Sequence, residues 1–156
     1  MSAAEKPVVV LVHGAWHRPL HYIEFINGLR TKGFEVVTPV NATAGWDDSI
    51  VGKTHFDDAK IIQKAMDPYL DAGKKIVLVC HSYGGIPGTA AAEGNTFPER
   101  ASKGQEGGIV SVVFIAAFAL PQPGMSLWVG VGNRKPDWWD IQVRAKLRSL
   151  FLDASV

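Results

Sequence analysis

The sequence predicts a three-layer α/β fold, an open and mostly parallel sheet of about four strands with helices on both faces. Three observations carry this expectation. Apolar runs rich in β-branched residues punctuate the chain, and they lack the polar alternation of a half-solvated strand, so both faces should be buried. Amphipathic stretches at helical spacing separate the runs, giving the order β-α-β-α-β-α-β. Such units close with a right-handed crossover, which distributes the helices over the two sides of one parallel sheet.

The first run is Val8–Val12, which ends at His13-Gly14. Ile23, Phe25, Ile26 and Leu29 follow at roughly helical spacing, and Gly33 is a suitable C-terminal stop. Phe34 to Thr38 reads as the second strand, stopped by Pro39. Asn41 to Thr54, with Gly45, Gly52 and small polar residues, reads as a loop. Phe56, Ala59, Ile61, Ile62, Ala65, Met66 and Leu70 form a second helical pattern that Gly73 ends, with Pro68 near its last turn. Ile76–Cys80 is the third strand. The small residues from Gly84 to Gly94 predict a helix that packs closely on the sheet. Ala101 to Gly108 reads as an exposed polar loop, and Ile109 to Ala117 as the fourth strand. Beyond Leu120, Pro121, Pro123, Gly124, Gly130, Gly132 and Pro136 mark an irregular stretch, and Asp140 to Leu152 a short amphipathic helix. There is no internal repeat and no low-complexity tract.

Composition narrows the function. The 156 residues are 47% hydrophobic and 20% charged, which excludes a disordered chain. Sixteen basic and 15 acidic residues leave a net charge of +1, so no electrostatic footprint for nucleic acid or a membrane surface is present. The single cysteine, Cys80, cannot form an internal disulfide, and Met1 to Lys6 lacks the apolar run of a signal peptide. A soluble cytoplasmic protein is the expectation.

The chemistry concentrates in Val77-Leu78-Val79-Cys80-His81-Ser82-Tyr83-Gly84-Gly85. A strand runs into a sharp turn with Ser82 at its apex, and a helix follows. This context defines a nucleophile elbow, in which a strained backbone exposes the serine hydroxyl. Residues two before and two after the serine must be small, and here they are Cys80 and Gly84. Cys80 replaces the usual first glycine of Gly-x-Ser-x-Gly. The competing reading is an ordinary loop serine. A second segment, Val12-His13-Gly14-Ala15-Trp16, follows the first strand. A serine hydrolase needs preorganised N–H donors for an oxyanion. The elbow supplies the amide of Tyr83 and the early loop that of Ala15, while Gly14 admits close backbone approach.

With these residues in view, the sequence resembles the α/β-hydrolase superfamily, and within it the group of plant methyl-ester esterases, hydroxynitrile lyases and their fungal relatives. Val8–Trp16, Gly33–Pro39, Ile76–Gly85 and Val113–Leu120 carry the resemblance, which runs from about Pro7 to Gln142. It implies a Ser-His-Asp triad with Ser82 as nucleophile, Ala15 and Tyr83 as the oxyanion hole, no cofactor or metal, and a small ester or acyl substrate. Gly14, Trp16 and His81 are expected at the substrate pocket. In the family the acid and histidine follow the nucleophile. Here His13, His17, His21, His55 and His81 all precede Ser82, so no catalytic histidine or acid is assigned. The expectation is an incomplete α/β-hydrolase fold: residues 1–120 as core, 121–142 as the start of a lid or linker, and 143–156 as a divergent tail. Its apolar strands Ile76–Cys80 and Ile109–Ala117 should be exposed on the face that carries the first helix.

Several residues invite other readings. His13, His17 and His21 recur every four residues, but Gly14 and Pro19 break the helix a metal site would need. Cys80 ends a buried strand and reads as a packed residue rather than a thiol nucleophile. Gly130-Val131-Gly132 is only a fragment of a dinucleotide fingerprint. Trp16, Tyr83 and Trp128 are candidates for an apolar acyl pocket and Trp138-Trp139 for its cap, against ordinary packing. A carboxylesterase is the leading function. A binding or regulatory protein without a working triad, and a lyase on the same scaffold, are the alternatives. The sequence carries no signal for oligomeric state.

Overall fold

The computed structural model describes residues 5–119, 125, 127–130 and 132–134. The chain divides into two compact units, Met1–Pro121 and Gln122–Val156. In the first, strands β1 (Val8–Val12), β2 (Val36–Val37), β3 (Lys75–His81) and β4 (Gly108–Ile115) form one sheet in the order β2-β1-β3-β4. Every pairing is parallel. Helices α1 (Ile23–Thr31), α2 (His55–Asp71), α3 (Gly85–Ala92) and α4 (Phe97–Ser102) connect the strands. The second unit contributes α5 (Leu127–Gly130). The Trp128 side chain, Trp138, Trp139 and the segment from Asp140 to Leu152 lie outside the described residues.

The two faces of the sheet follow from strand alternation. Val8, Val10 and Val12 of β1, with Ile76, Leu78 and Cys80 of β3, pack against Ala59, Ile62, Met66 and Leu70 of α2 and Ala91 of α3. Val9, Leu11 and Val79 face the other way and pack with Ile26 of α1. Each fully buried Val, Leu, Ile or Met side chain among these contributes about 1.5–3 kcal/mol. That is why β1 reads as apolar throughout: all five of its residues are buried.

The helix stops are where the glycines put them. Gly33 (φ +78°) and Gly73 (φ +70°) adopt a left-handed conformation that only glycine takes without strain. Around Gly73, its own N–H donates to Leu70 O and the Lys74 N–H to Tyr69 O, the paired bonds of a Schellman cap. Pro68 lies inside α2 and does not end it.

Three elements differ from the sequence reading. The second strand is two residues long rather than five, because it pairs with β1 only at Val36 and Val37 and borders no other strand. Helix α4 was absent from the pattern of apolar residues. Its signal is the Thr96-x-x-Glu99 capping box, in which the Thr96 N–H donates to Glu99 Oε2 at 3.2 Å. The predicted helix from Gly84 to Gly94 begins instead as a single 3-10 turn, Ser82–Gly84, which leads into α3.

Strand β4 also shows where the fold is uncovered. A bulge passes over Val110, since Ile109 pairs with Ile76 and Ser111 with Val77. The bulge sets Ile109 and Val112 on the α2 face. Val113, Phe114 and Ile115 are each about 40% exposed, so apolar surface is open on both faces of β4. The expected exposure thus holds for β4. It does not hold for β3, where Val79 is buried beneath α1.

Candidate active site

Strands β1 and β3 are neighbours and run in the same direction, so the loops at their carboxyl ends meet. In open α/β sheets this edge is where ligands bind. Ser82 leaves β3 with φ +51°, a left-handed conformation for a residue with a side chain. Such a position costs on the order of 1–3 kcal/mol and persists only where surrounding contacts enforce it. Those contacts are identifiable. A Cβ on Gly84 would stand 2.5 Å from Val12 O and 2.8 Å from His13 O, so the turn can press against β1 only with glycine there. A Cβ on Gly88 would collide with Cys80 Sγ, so α3 lies directly on β3. On the far side, the Phe118 N–H donates to Ser82 O at 3.0 Å. Cys80 itself is buried, and burial pushes its thiol up to about 12, so it is inert as a nucleophile.

The loop after β1 approaches the same point. A Cβ on Gly14 would lie 3.1 Å from Ser82 Cβ and 3.0 Å from His81 Nδ1. Gly14 to His17 forms a turn, with the His17 N–H donating to Gly14 O at 3.3 Å and Trp16 at φ +60°. A positive φ at the third residue is the mark of a type II turn.

His13 orients this loop. It is 1% exposed. The Asn41 N–H donates to its Nε2 at 3.1 Å, so Nε2 is bare and Nδ1 carries the proton. Nδ1–H then donates to Gly14 O at 2.8 Å. The Gly14–Ala15 peptide is planar and trans, so holding the Gly14 carbonyl points the Ala15 N–H in the opposite direction. Burial lowers the His13 pKa, partly offset by the Gly14 contact, which keeps the ring neutral as this arrangement requires.

The residue after the serine is held from below the sheet edge. The Tyr83 hydroxyl donates to Asp58 Oδ2 at 2.7 Å. The Thr43 hydroxyl donates to the same oxygen at 2.8 Å, and the Thr43 N–H to Oδ1 at 2.9 Å. Asp58 is fully buried on α2, and these three donors satisfy its carboxylate. The Tyr83 ring is therefore committed to Asp58, which leaves its backbone N–H as its contribution at the edge. Trp16, by contrast, is 71% exposed. Sequence reasoning missed Asp58, although a carboxylate at an apolar-face position of α2 is a legible signal. Nothing in the pattern marks Asn41, Thr43 or Tyr22.

Tyr22 joins the loop to β3. Its oxygen accepts the Gly14 N–H at 3.0 Å and lies 2.6 Å from His17 Nδ1 and 2.7 Å from His81 Nδ1. The His17 and His81 rings stack nearly parallel, with centroids 5.5 Å apart. His21 takes the Arg18 N–H on its Nδ1. Among the described residues, no side chain hydrogen-bonds the Ser82 hydroxyl, and no cluster of histidine, cysteine and carboxylate side chains forms a metal site. No helix among them is long and apolar enough to cross a membrane.

A left-handed serine between a central parallel strand and a helix, with a glycine loop of the neighbouring strand packed against it, is the arrangement of the α/β hydrolases. The chain belongs to this group: the pattern that describes the alpha/beta hydrolase family matches residues 9–155. Probable hydrolase R7 of Phoma sp. is 32% identical over 130 residues, which are 83% of this chain and 50% of that protein. The carbendazim hydrolyzing esterase of Nocardioides sp. is 35% identical over 123 residues, 76% of this chain and 44% of that one. Methyl jasmonate esterase 1 of Vitis vinifera is 32% identical over 124 residues, 76% and 41% of the two chains. Among solved structures, tomato Methylketone Synthase I complexed with 2-tridecanone superimposes with a TM-score of 0.61 at 25% identity, covering 83% of this chain and 47% of that one. The chain spans about half the length of the curated relatives it matches.

Proposed function

We propose that this chain carries the serine nucleophile and the oxyanion donors of a serine hydrolase of carboxylesterase type, acting on a small ester or acyl compound through Ser82. One observation carries the reading: the left-handed Ser82 at the end of β3, pressed against Gly14 of the loop that presents Ala15. Ser82 Oγ attacks the acyl carbonyl and gives up its proton to water, and the Ala15 and Tyr83 amides receive the negative charge that develops on the carbonyl oxygen. Collapse of the adduct expels the alcohol, protonated by water, to leave an acyl group on Oγ that water then hydrolyses. The relatives named as esterases, and the ketone in the tomato protein's complex, support a small carbonyl compound as ligand. Gly14, Trp16 and His81 border the place where it sits. With no base bound to Ser82 among the described residues, the catalysis expected of this chain is that of oxyanion stabilisation and binding, about 10³–10⁴-fold over water.

The test is a fluorophosphonate probe, which bonds covalently to a serine hydroxyl and reacts faster where oxyanion donors stabilise its transition state. Slow covalent labelling at Ser82, absent in Ser82→Ala, is the expected result. A chain that binds small esters but never takes the label is instead a binding protein on a hydrolase scaffold.

A further inference from the structure

We propose that Tyr22 is a positioning residue for the oxyanion loop, its hydroxyl tying the Gly14 peptide to His81, the residue before Ser82. The inference rests on the reading of the Ala15 and Tyr83 amides as the oxyanion donors. The argument begins with valence. A phenol oxygen has two lone pairs and one proton. The Gly14 N–H takes one lone pair. Two imidazole nitrogens remain, His17 Nδ1 and His81 Nδ1, both at hydrogen-bonding distance. They are satisfied together only if one is protonated at Nδ1 and donates, while the other is bare there and accepts. The hydroxyl is then saturated, with each of its three valences fixed to a different neighbour.

Those neighbours belong to the two sides of the site. Gly14 and His17 close the turn that contains Ala15 and Trp16, and His81 is the last residue of β3. Tyr22 ends the 3-10 turn before α1, and its ring packs against the core on the α1 face of the sheet. The hydroxyl is thus carried on a ring buttressed by the core cluster, with its edge against the His17 and His81 rings. His13 holds the Gly14 carbonyl and Tyr22 holds the Gly14 N–H, so neither peptide plane that meets at Gly14 can turn freely. Ala15 follows directly, and small displacements of an oxyanion donor are costly in rate. Burial raises the Tyr22 pKa, so the hydroxyl keeps its proton near neutrality.

Tyr22→Phe removes the oxygen and keeps the ring. In the variant of the 156-residue chain, hydrogen exchange at the Gly14 amide is expected to quicken about tenfold, the factor an ordinary hydrogen bond is worth. Exchange at Val10 and Leu78, inside the sheet, is expected to stay the same. Labelling of Ser82 by the fluorophosphonate probe is expected to slow about tenfold in its limiting rate with its half-saturating concentration unchanged, as for a group that acts only on the transition state. Unchanged exchange at Gly14 overturns the proposal, and so does a rise shared equally by Val10 and Leu78, which would make Tyr22 a packing residue. If the variant does not fold, nitrogen NMR of the histidine rings in the unaltered chain decides: His17 and His81 must show opposite tautomers, and two rings with the same neutral tautomer overturn the proposal. A chain that never takes the label defeats the esterase reading alone, because the exchange and tautomer measurements do not need a reactive serine.

Discussion

His13 holds its proton on Nδ1 because Asn41 occupies Nε2, and that assignment has a consequence for stability. Burial lowers the folded-state pKa below the ordinary imidazole value of 6.5. The unfolded chain therefore takes up the proton first as pH falls. Stability is full above about 6.5 and declines from there until the lowered folded value is passed. His17, lowered by burial and by its histidine neighbours His81 and His21, adds a contribution of the same sign. His13→Asn keeps a donor for Gly14 O and cannot titrate. Its melting temperature is expected to fall less steeply between pH 6.5 and 5 than that of the unaltered chain. At neutral pH it should cost about 1–3 kcal/mol, because the Asn41 N–H loses its acceptor. An acid slope equal to that of the unaltered chain would show that His13 is not the titrating group.

At the level of elements, the site depends on how closely α3 and the turn before it lie on the sheet. The helix is nearly all small residues, and the contact between Gly88 and Cys80 explains why. Gly88→Ala places a methyl group against a buried sulfur, an overpacking expected to cost about 1–3 kcal/mol. Cys80→Ala removes the sulfur, so the double substitution should recover part of that loss. Chemical denaturation of the two single variants and the double variant measures the coupling, and strictly additive losses would refute the contact. The same pair accounts for the departure from Gly-x-Ser-x-Gly. Cys80 is small enough for β3 because the facing residue on α3 has no side chain.

Over the whole molecule, β4 is the weak side. Its Val113, Phe114 and Ile115 side chains are open, and exposed patches of this kind favour association. Val113→Thr and Phe114→Thr are expected to cost only about 1–2 kcal/mol each, less than a fully buried position would, because about two fifths of each side chain is already exposed. Both should reduce light scattering in concentrated solution. A loss of several kcal/mol instead would mean that these side chains are covered in the folded protein.

Much of this was legible in the residues. The unbroken apolar run of Val8–Val12 announced a strand buried on both faces, because a parallel sheet leaves no side for water. Gly33 and Gly73 announced the ends of α1 and α2, because only glycine turns left-handed there without strain. Ser82 between Cys80 and Gly84 announced its own turn for the same kind of steric reason. These are local constraints, carried by a few neighbouring residues. What the residues did not disclose is non-local. Tyr22 meets His81 across 59 positions, Asn41 meets His13 across 28, and Tyr83 meets Asp58 across 25. No spacing rule links such partners, since their encounter depends on β1 and β3 lying side by side and on where each loop returns to the sheet. The sequence alone determined that Val8–Val12 and the run ending at Cys80 are strands, where α1 and α2 stop and where the serine turns, because each is a short-range steric requirement, whereas the length of β2 was set by its pairing. The tertiary structure alone decided which polar groups hold the Gly14 and Tyr83 peptides in place, because those hydrogen bonds exist only after the chain has folded.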